Sequence, residues 1–327
     1  MSGSPAPETP SVRWSGRTRG GYFGNWFFMQ LIRHCGVRWA YGFLIFVAGY
    51  FTVANPGGYR HSQDFLRRVL GPQPFWKWPW LVYRHFFSFG VTLLDRVAVI
   101  TSRTQITCTH EGEFLFKDYL DRGRGVILLG AHVGSWEIGG HLLGRLGKPV
   151  NVVVLEKDEV RLRRLFARAL AAKMFQIIAT DGHPLRSIPI AAALRRGEIV
   201  ALLGDRSFGG TDVSTPFLGG NARFPAGPWL LAAVSGAPIF QTFVVRERLG
   251  HYRFFSHPAK FIPREVLRGG PAALQPPVAE YADRLAAVAR QYPFQWFNIY
   301  SFWEETPVGN QPDAHANVAP DPVRNVP

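Results

Sequence analysis

The sequence predicts an α/β protein, with a mostly parallel central sheet flanked by helices and an N-terminal apolar membrane-associating helical segment. Three observations carry this. Short β-rich runs alternate with helical ones after Arg103, an apolar and ring-rich block precedes them, and 327 residues suffice to bury one large core. The chain divides into a basic polar segment (1–35), an apolar aromatic helical region (36–100), an α/β domain (101–305) and a polar, proline-rich tail (306–327) expected to be disordered. The opening "MSGSPAPETPSVRWSGRTRGG" is polar and no small-residue cleavage signature follows the first apolar run, so a removable signal peptide is not expected.

Residues 39–54, "WAYGFLIFVAGYFTVA", carry no charge. As a helix they reach about 24 Å, against a hydrocarbon core of about 30 Å. That length suits a tilted or dipping anchor better than a full span, with a buried helix packed on the domain as the weaker alternative. Arg13, Arg17, Arg19, Arg33 and Arg38 before it and Arg60, Arg67 and Arg68 after it make the flanks nearly symmetric, so they give no orientation. The block at 74–94, "PFWKWPWLVYRHFFSFGVTLL", interleaves Trp and Tyr with Lys and Arg as at a bilayer interface.

Beyond it, "GVILLGA" (125–131) reads as a buried strand, "SWEIGGHLLGRL" (135–146) as a helix and "VNVVVLE" (150–156) as a strand. A basic helix at 159–174, a strand at 175–180, a helix at 185–196 and a strand at 198–204 continue the alternation. Crossovers of that length dictate parallel pairing. A helix at 227–236, a hairpin from 237–247 and 251–257, and a last helix at 277–291 complete the domain.

Charge and composition narrow the partners. Aromatics make up 14% of the chain, and 37 Lys and Arg against 23 Asp and Glu leave a formal charge of +14. Such an excess attracts nucleic acid, anionic headgroups or an acidic carrier protein. No nucleic-acid module is recognisable and the rings cluster with aliphatic residues, so a nucleic-acid-binding protein is the weaker reading. Two cysteines, Cys35 and Cys108, show no metal-ligand spacing, and no metal or cofactor is expected.

The junction "VILLGAHVGSWEIGG" holds the candidate chemistry. His132 and Glu137 are five residues apart, which would put them about 140° apart on one regular helix. His132 therefore belongs on the turn after the strand, with Glu137 in the first helical turn, where its carboxylate can fold back toward the imidazole. The turn lies at the carboxyl end of a parallel strand, where open sheets place ligand crevices. An imidazole oriented by a carboxylate removes a proton from a hydroxyl or amine. Gly204, Asp205 and Arg206 end a strand at the same sheet edge, where Arg206 has the chemistry to bind a phosphate or carboxylate or to stabilise an oxyanion, and where the pair serves equally as an internal ion pair. Arg223 in "NARFPAG" is a second anion-binding candidate.

"HVGSWE" after a hydrophobic strand resembles the H-x4-D/E motif of the lysophospholipid acyltransferase superfamily, in particular the bacterial branch containing the late acyltransferases of lipid A biosynthesis. "RRGEIVALLGDRSFGG" and "TPFLGGNARFPAGPWLLAAVSGAPIF" are similar to later blocks of that branch, in the same order, and the resemblance extends from about residue 20 to 305. It departs at Asp205-Arg206, where lipid A acyltransferases generally carry Asp-Gln, a difference that bears on the acceptor more than on the chemistry.

The resemblance implies a membrane-associated acyltransferase with His132 as general base and Glu137 as its orienting partner. The implied donor is an acyl thioester, on acyl carrier protein or coenzyme A, and the implied acceptor a hydroxyl or amine of a lipid or glycolipid. The implied location is the bacterial inner membrane, with the catalytic domain on the cytoplasmic side, held peripherally or by a single anchor. A lipid hydrolase using the same site is an alternative, although no G-x-S-x-G nucleophile elbow is present.

Overall fold

The computed structural model describes residues 21–100, 106–143, 146–155, 175–180, 187–207 and 210–304. The expected basic helix at 159–174 and the tail at 306–327 lie outside these residues.

Four helices lead the chain: α1 (Gly21–Cys35), α2 (Val37–Ala54), α3 (Pro56–Leu70) and, after a short 3-10 turn at Phe75–Lys77, α4 (Trp78–Ile100). Asn55 both ends α2 and caps α3, its side chain accepting from the Gly58 N–H at 3.2 Å, with Pro56 at the first helical position. Ala40, Leu44 and Ala48 of α2 recur every fourth residue and bury one stripe of the helix.

The domain then runs β1 (Thr107–Glu111), α5 (Glu113–Asp121), β2 (Val126–Gly130), α6 (Trp136–Leu143), β3 (Val150–Leu155), β4 (Phe175–Thr180), α7 (Ile188–Arg195) and β5 (Ile199–Leu203). It continues through β6 (Asp212–Phe217), β7 (Gly220–Pro225), α8 (Gly227–Ser235), β8 (Ile239–Arg248), β9 (His251–Ser256) and α9 (Gln275–Gln291). Seven strands form one sheet in the order β1-β9-β8-β2-β5-β3-β4. All neighbours are parallel except β8 and β9, the hairpin read from the sequence. Every residue of β2 is buried, as a central parallel strand with both faces covered requires.

The hairpin β6–β7 forms a separate two-stranded sheet that the sequence reading left unassigned. Its loop is Leu218-Gly219, both at positive φ (48° and 78°), as a two-residue turn matched to strand twist demands. One core joins the sheet to the leading helices: Phe65, Leu66, Trp78, Val82 and Phe86 pack with Leu129, Phe243 and Trp296. Helix α4 is therefore part of the domain's packing.

Candidate active site

Strand register builds the site. In the parallel pair β2–β5, Gly130 lies opposite Leu203, so the residues two beyond each end, His132 and Asp205, leave the sheet side by side. The His132 ring Nδ1 lies 2.8 Å from Asp205 Oδ1, and the His132 backbone N–H donates to Oδ2 at 2.9 Å. A third donor, the indole N–H of Trp296, reaches the same Oδ2 at 2.9 Å. Asp205 is fully buried, while the His132 side chain keeps 22% of its surface exposed.

The electrostatics follow from that packing. Burial pushes the Asp205 carboxyl up, but the His132 ring, Arg206 and the Trp296 N–H together outweigh it and hold the group down at about 2. Burial, assisted by the Arg206 charge, lowers His132 below its usual 6.5 against the pull of Asp205 and Glu137. The imidazole is thus neutral near pH 7. With Asp205 ionised, Nδ1 carries the proton and donates, leaving the Nε2 lone pair available as a base.

Glu137 lies on the first turn of α6, where the sequence put it. Its carboxylate is paired with Arg96 of α4 at 2.9 Å, both side chains only 12% exposed, and the partner on His132 Nδ1 is Asp205. The reason is the register just described, which delivers a buried carboxylate to Nδ1 from β5. Glu137 remains near enough to favour the imidazolium electrostatically.

The chain's C-terminal segment closes the other side. The Phe297 N–H donates to the His132 carbonyl at 3.0 Å, and the Gly134 N–H donates to the Gln295 carbonyl at 2.7 Å. The His85 ring on α4 bonds the Trp296 carbonyl at 3.0 Å and Ser62 Oγ at 3.1 Å. Gly134 has φ +61°, and a Cβ there would stand 1.9 Å from the Val244 carbonyl oxygen, so only glycine lets the loop run this close to β8. Trp296, Gln295 and Arg96 were not among the expected site residues. Their signals were a large ring-bearing segment after the last helix and the adjacent charges Asp95-Arg96 inside an apolar helix, since buried Trp and buried charge both need partners.

Gly204 abuts the same point: its N–H donates to the Gly130 carbonyl at 3.0 Å, and an added Cβ would lie 2.7 Å from Leu129 Cδ1. The Tyr281 hydroxyl donates to that carbonyl at 2.7 Å. Arg206 is buried, donating to the Phe297 carbonyl at 3.0 Å beneath the Tyr300 ring. Arg223 stands apart from this group. Its side chain is 66% exposed on β7 and pairs with Glu304 at 2.5 Å, lining an open polar cleft of about 270 Å³ with Gly210, Asp212 and Ser214.

Replacing Trp296 by phenylalanine keeps the edge-on contacts with Phe65, Phe217 and Phe302 but deletes the donor to Asp205. A lost hydrogen bond to a charged group is worth roughly 1.5–3 kcal/mol, so kcat is expected to fall by about 10- to 100-fold with KM nearly unchanged. Less of the Asp205 charge is then neutralised, the imidazolium is favoured, and the acid limb of the pH–rate profile moves upward. A purely structural role for the ring would leave that limb in place.

Comparison with known proteins identifies the family. Residues 15–304 match the family described as bacterial lipid A biosynthesis acyltransferase. The chain is 25% identical to a phosphatidylinositol mannoside acyltransferase of Mycolicibacterium smegmatis, over 86% of this chain and 90% of the relative. It is 26% identical to the protein of the same name from Mycobacterium tuberculosis, over 86% and 87%. A family match across nearly the whole described chain places this protein in the bacterial lipid A biosynthesis acyltransferase family, and it is an acyltransferase.

Proposed function

We propose that the protein transfers a fatty acyl chain from a thioester, on acyl carrier protein or coenzyme A, to a hydroxyl of a glycolipid at the cytoplasmic face of the bacterial inner membrane. The observation that carries the reading is the His132 ring bonded at Nδ1 to the fully buried Asp205 carboxylate at the carboxyl edge of the sheet. Nε2 removes the acceptor's proton as its oxygen attacks the thioester carbonyl; the C–S bond then breaks and the thiolate takes the proton back from the imidazolium. Products are an ester and a free thiol, and no side-chain nucleophile is needed.

Asp205 orients the ring and stabilises its charged form. Glu137, anchored by Arg96, adds negative potential close by. Arg206 supplies positive charge at the same edge for an acceptor phosphate or a developing oxyanion, with Gly204 letting Leu129 and Tyr281 pack closely against the strand end that carries it; Arg223 would meet the polar headgroup from its cleft. The glycolipid acceptor is supported by the relatives' names, which specify phosphatidylinositol mannoside.

The test is transfer of labelled palmitate from palmitoyl-coenzyme A or palmitoyl carrier protein to phosphatidylinositol mannoside in detergent, with the product located by mass spectrometry. An acylated glycolipid that forms only with acceptor present is expected. Free palmitate released equally with and without acceptor would identify a hydrolase instead.

A further inference from the structure

Helix α2 is the one described helix long and apolar enough to cross a bilayer, yet it is packed lengthwise on α4. Its outward residues Trp39, Phe43, Phe46, Tyr50 and Val53 are all exposed, and at 100° per residue they fall within about 40° of one line along the helix. The opposite side lies lengthwise on α4. Tyr41 donates to Asp95, Leu44 covers Gly90, and the Tyr83 hydroxyl donates to the Ile45 carbonyl at 3.4 Å.

Helix α4 is in turn bound to the catalytic sheet. Asp95 accepts from Tyr252 of β9 at 2.5 Å, and Arg246 of β8 bonds Ser88 and Thr92. Turning α2 across a membrane would strip it from Asp95, or else carry Arg84, Asp95 and Arg96 into hydrocarbon, where charge is costly. Neither is needed if α2 lies flat.

Two neighbours extend the exposed stripe into a face. Phe27 of α1, exposed with Trp26 and Met29, packs on Phe43 at 4.8 Å between ring centroids. Trp80 stacks on Tyr83 at 5.3 Å, beside the exposed Phe75 and Trp76. Between residues 21 and 94 the chain carries seven Lys and Arg and a single acidic residue, Asp64. Rings edged by cations match the boundary between acyl chains and anionic headgroups.

We infer that α1, α2 and the 75–80 turn form one monotopic face, seated in a single leaflet of an anionic bilayer with α2 parallel to its plane. The inference rests on the proposed lipid acceptor, since it delivers the site to the surface where that acceptor resides.

Topology tests it directly. The full chain carrying Cys108→Ser retains the exposed Cys35 just before α2; a second version, Cys35→Ser, Cys108→Ser and Gly57→Cys, places the thiol just after it, where added atoms meet open space. In sealed right-side-out and inverted membrane vesicles from expressing bacteria, an impermeant maleimide is expected to label both positions in the same preparation and neither in the other. Labelling from opposite faces would overturn the inference.

A second arm uses Trp39→Ser with Phe46→Ser. Sedimentation with phosphatidylglycerol vesicles is expected to weaken about tenfold, wild-type binding to phosphatidylcholine vesicles to be weaker than to phosphatidylglycerol, and transfer in detergent to stay intact. Unchanged sedimentation of the double variant would also overturn it. Failure of the acyltransfer reading would show separately, as no product from the wild-type protein in detergent.

Discussion

His132→Ala is expected to lower kcat for acyl transfer by about 10³-fold or more, within or beyond the range a general base commonly contributes, while far-ultraviolet circular dichroism stays close to wild type and stability falls by no more than the roughly 1.5–3 kcal/mol of one hydrogen bond to the buried Asp205. The ring is partly exposed and its removal leaves the loop's backbone bonds to Asp205, Phe297 and Gln295 in place. Retained activity would dismiss the general-base role. The wild-type profile of kcat/KM against pH gives an independent check. Because burial lowers the ring's pKa below 6.5, the base is fully available above that value and is lost as pH falls through the lowered one, so the acid limb belongs below pH 6.5.

Asp205→Asn is expected to cost about 10²–10⁴-fold, by a different route. The two donors on Oδ2, the His132 backbone N–H and the Trp296 indole N–H, require an oxygen in that position. An asparagine must give them its carbonyl, which turns its NH₂ toward His132 Nδ1. The ring then accepts at Nδ1 and carries its proton on Nε2, the wrong tautomer for a base. The variant stays folded, binds acceptor normally and loses kcat. Glu137→Ala is the contrast. It frees Arg96 and removes nearby negative charge but leaves the tautomer correct, so it costs less activity than Asp205→Asn. A larger loss at Glu137, measured side by side, would reverse the assignment of the orienting carboxylate.

The sequence made some of this site visible and hid the rest for a physical reason. His132 was legible because a buried strand, small residues and a helix start converge on it within a dozen positions. The sheet was legible for the same reason, from period and run length. Asp205 was visible as a strand-end residue, but its contact with His132 spans 73 positions and depends on which residue of β5 lies opposite Gly130. A parallel register is a property of the assembled sheet, and no local pattern records it. Glu137 was given the partner that lay nearest along the chain; Arg96, which holds it, sits on a helix whose apolar surroundings pointed only toward the membrane. Trp296 was hidden because its segment forms isolated bridges rather than a strand or helix, leaving no periodicity to read.

The route of that last segment bears on how the protein comes into being. Residues 295–297 follow every described strand and helix, and they supply both the indole donor and the backbone partners that fix the histidine loop. A nascent polypeptide can assemble its sheet with the imidazole and the carboxylate already adjacent, but without the clasp that sets their alignment. The alignment of His132 with Asp205 is therefore completed only once residues 295–297 have docked against the sheet.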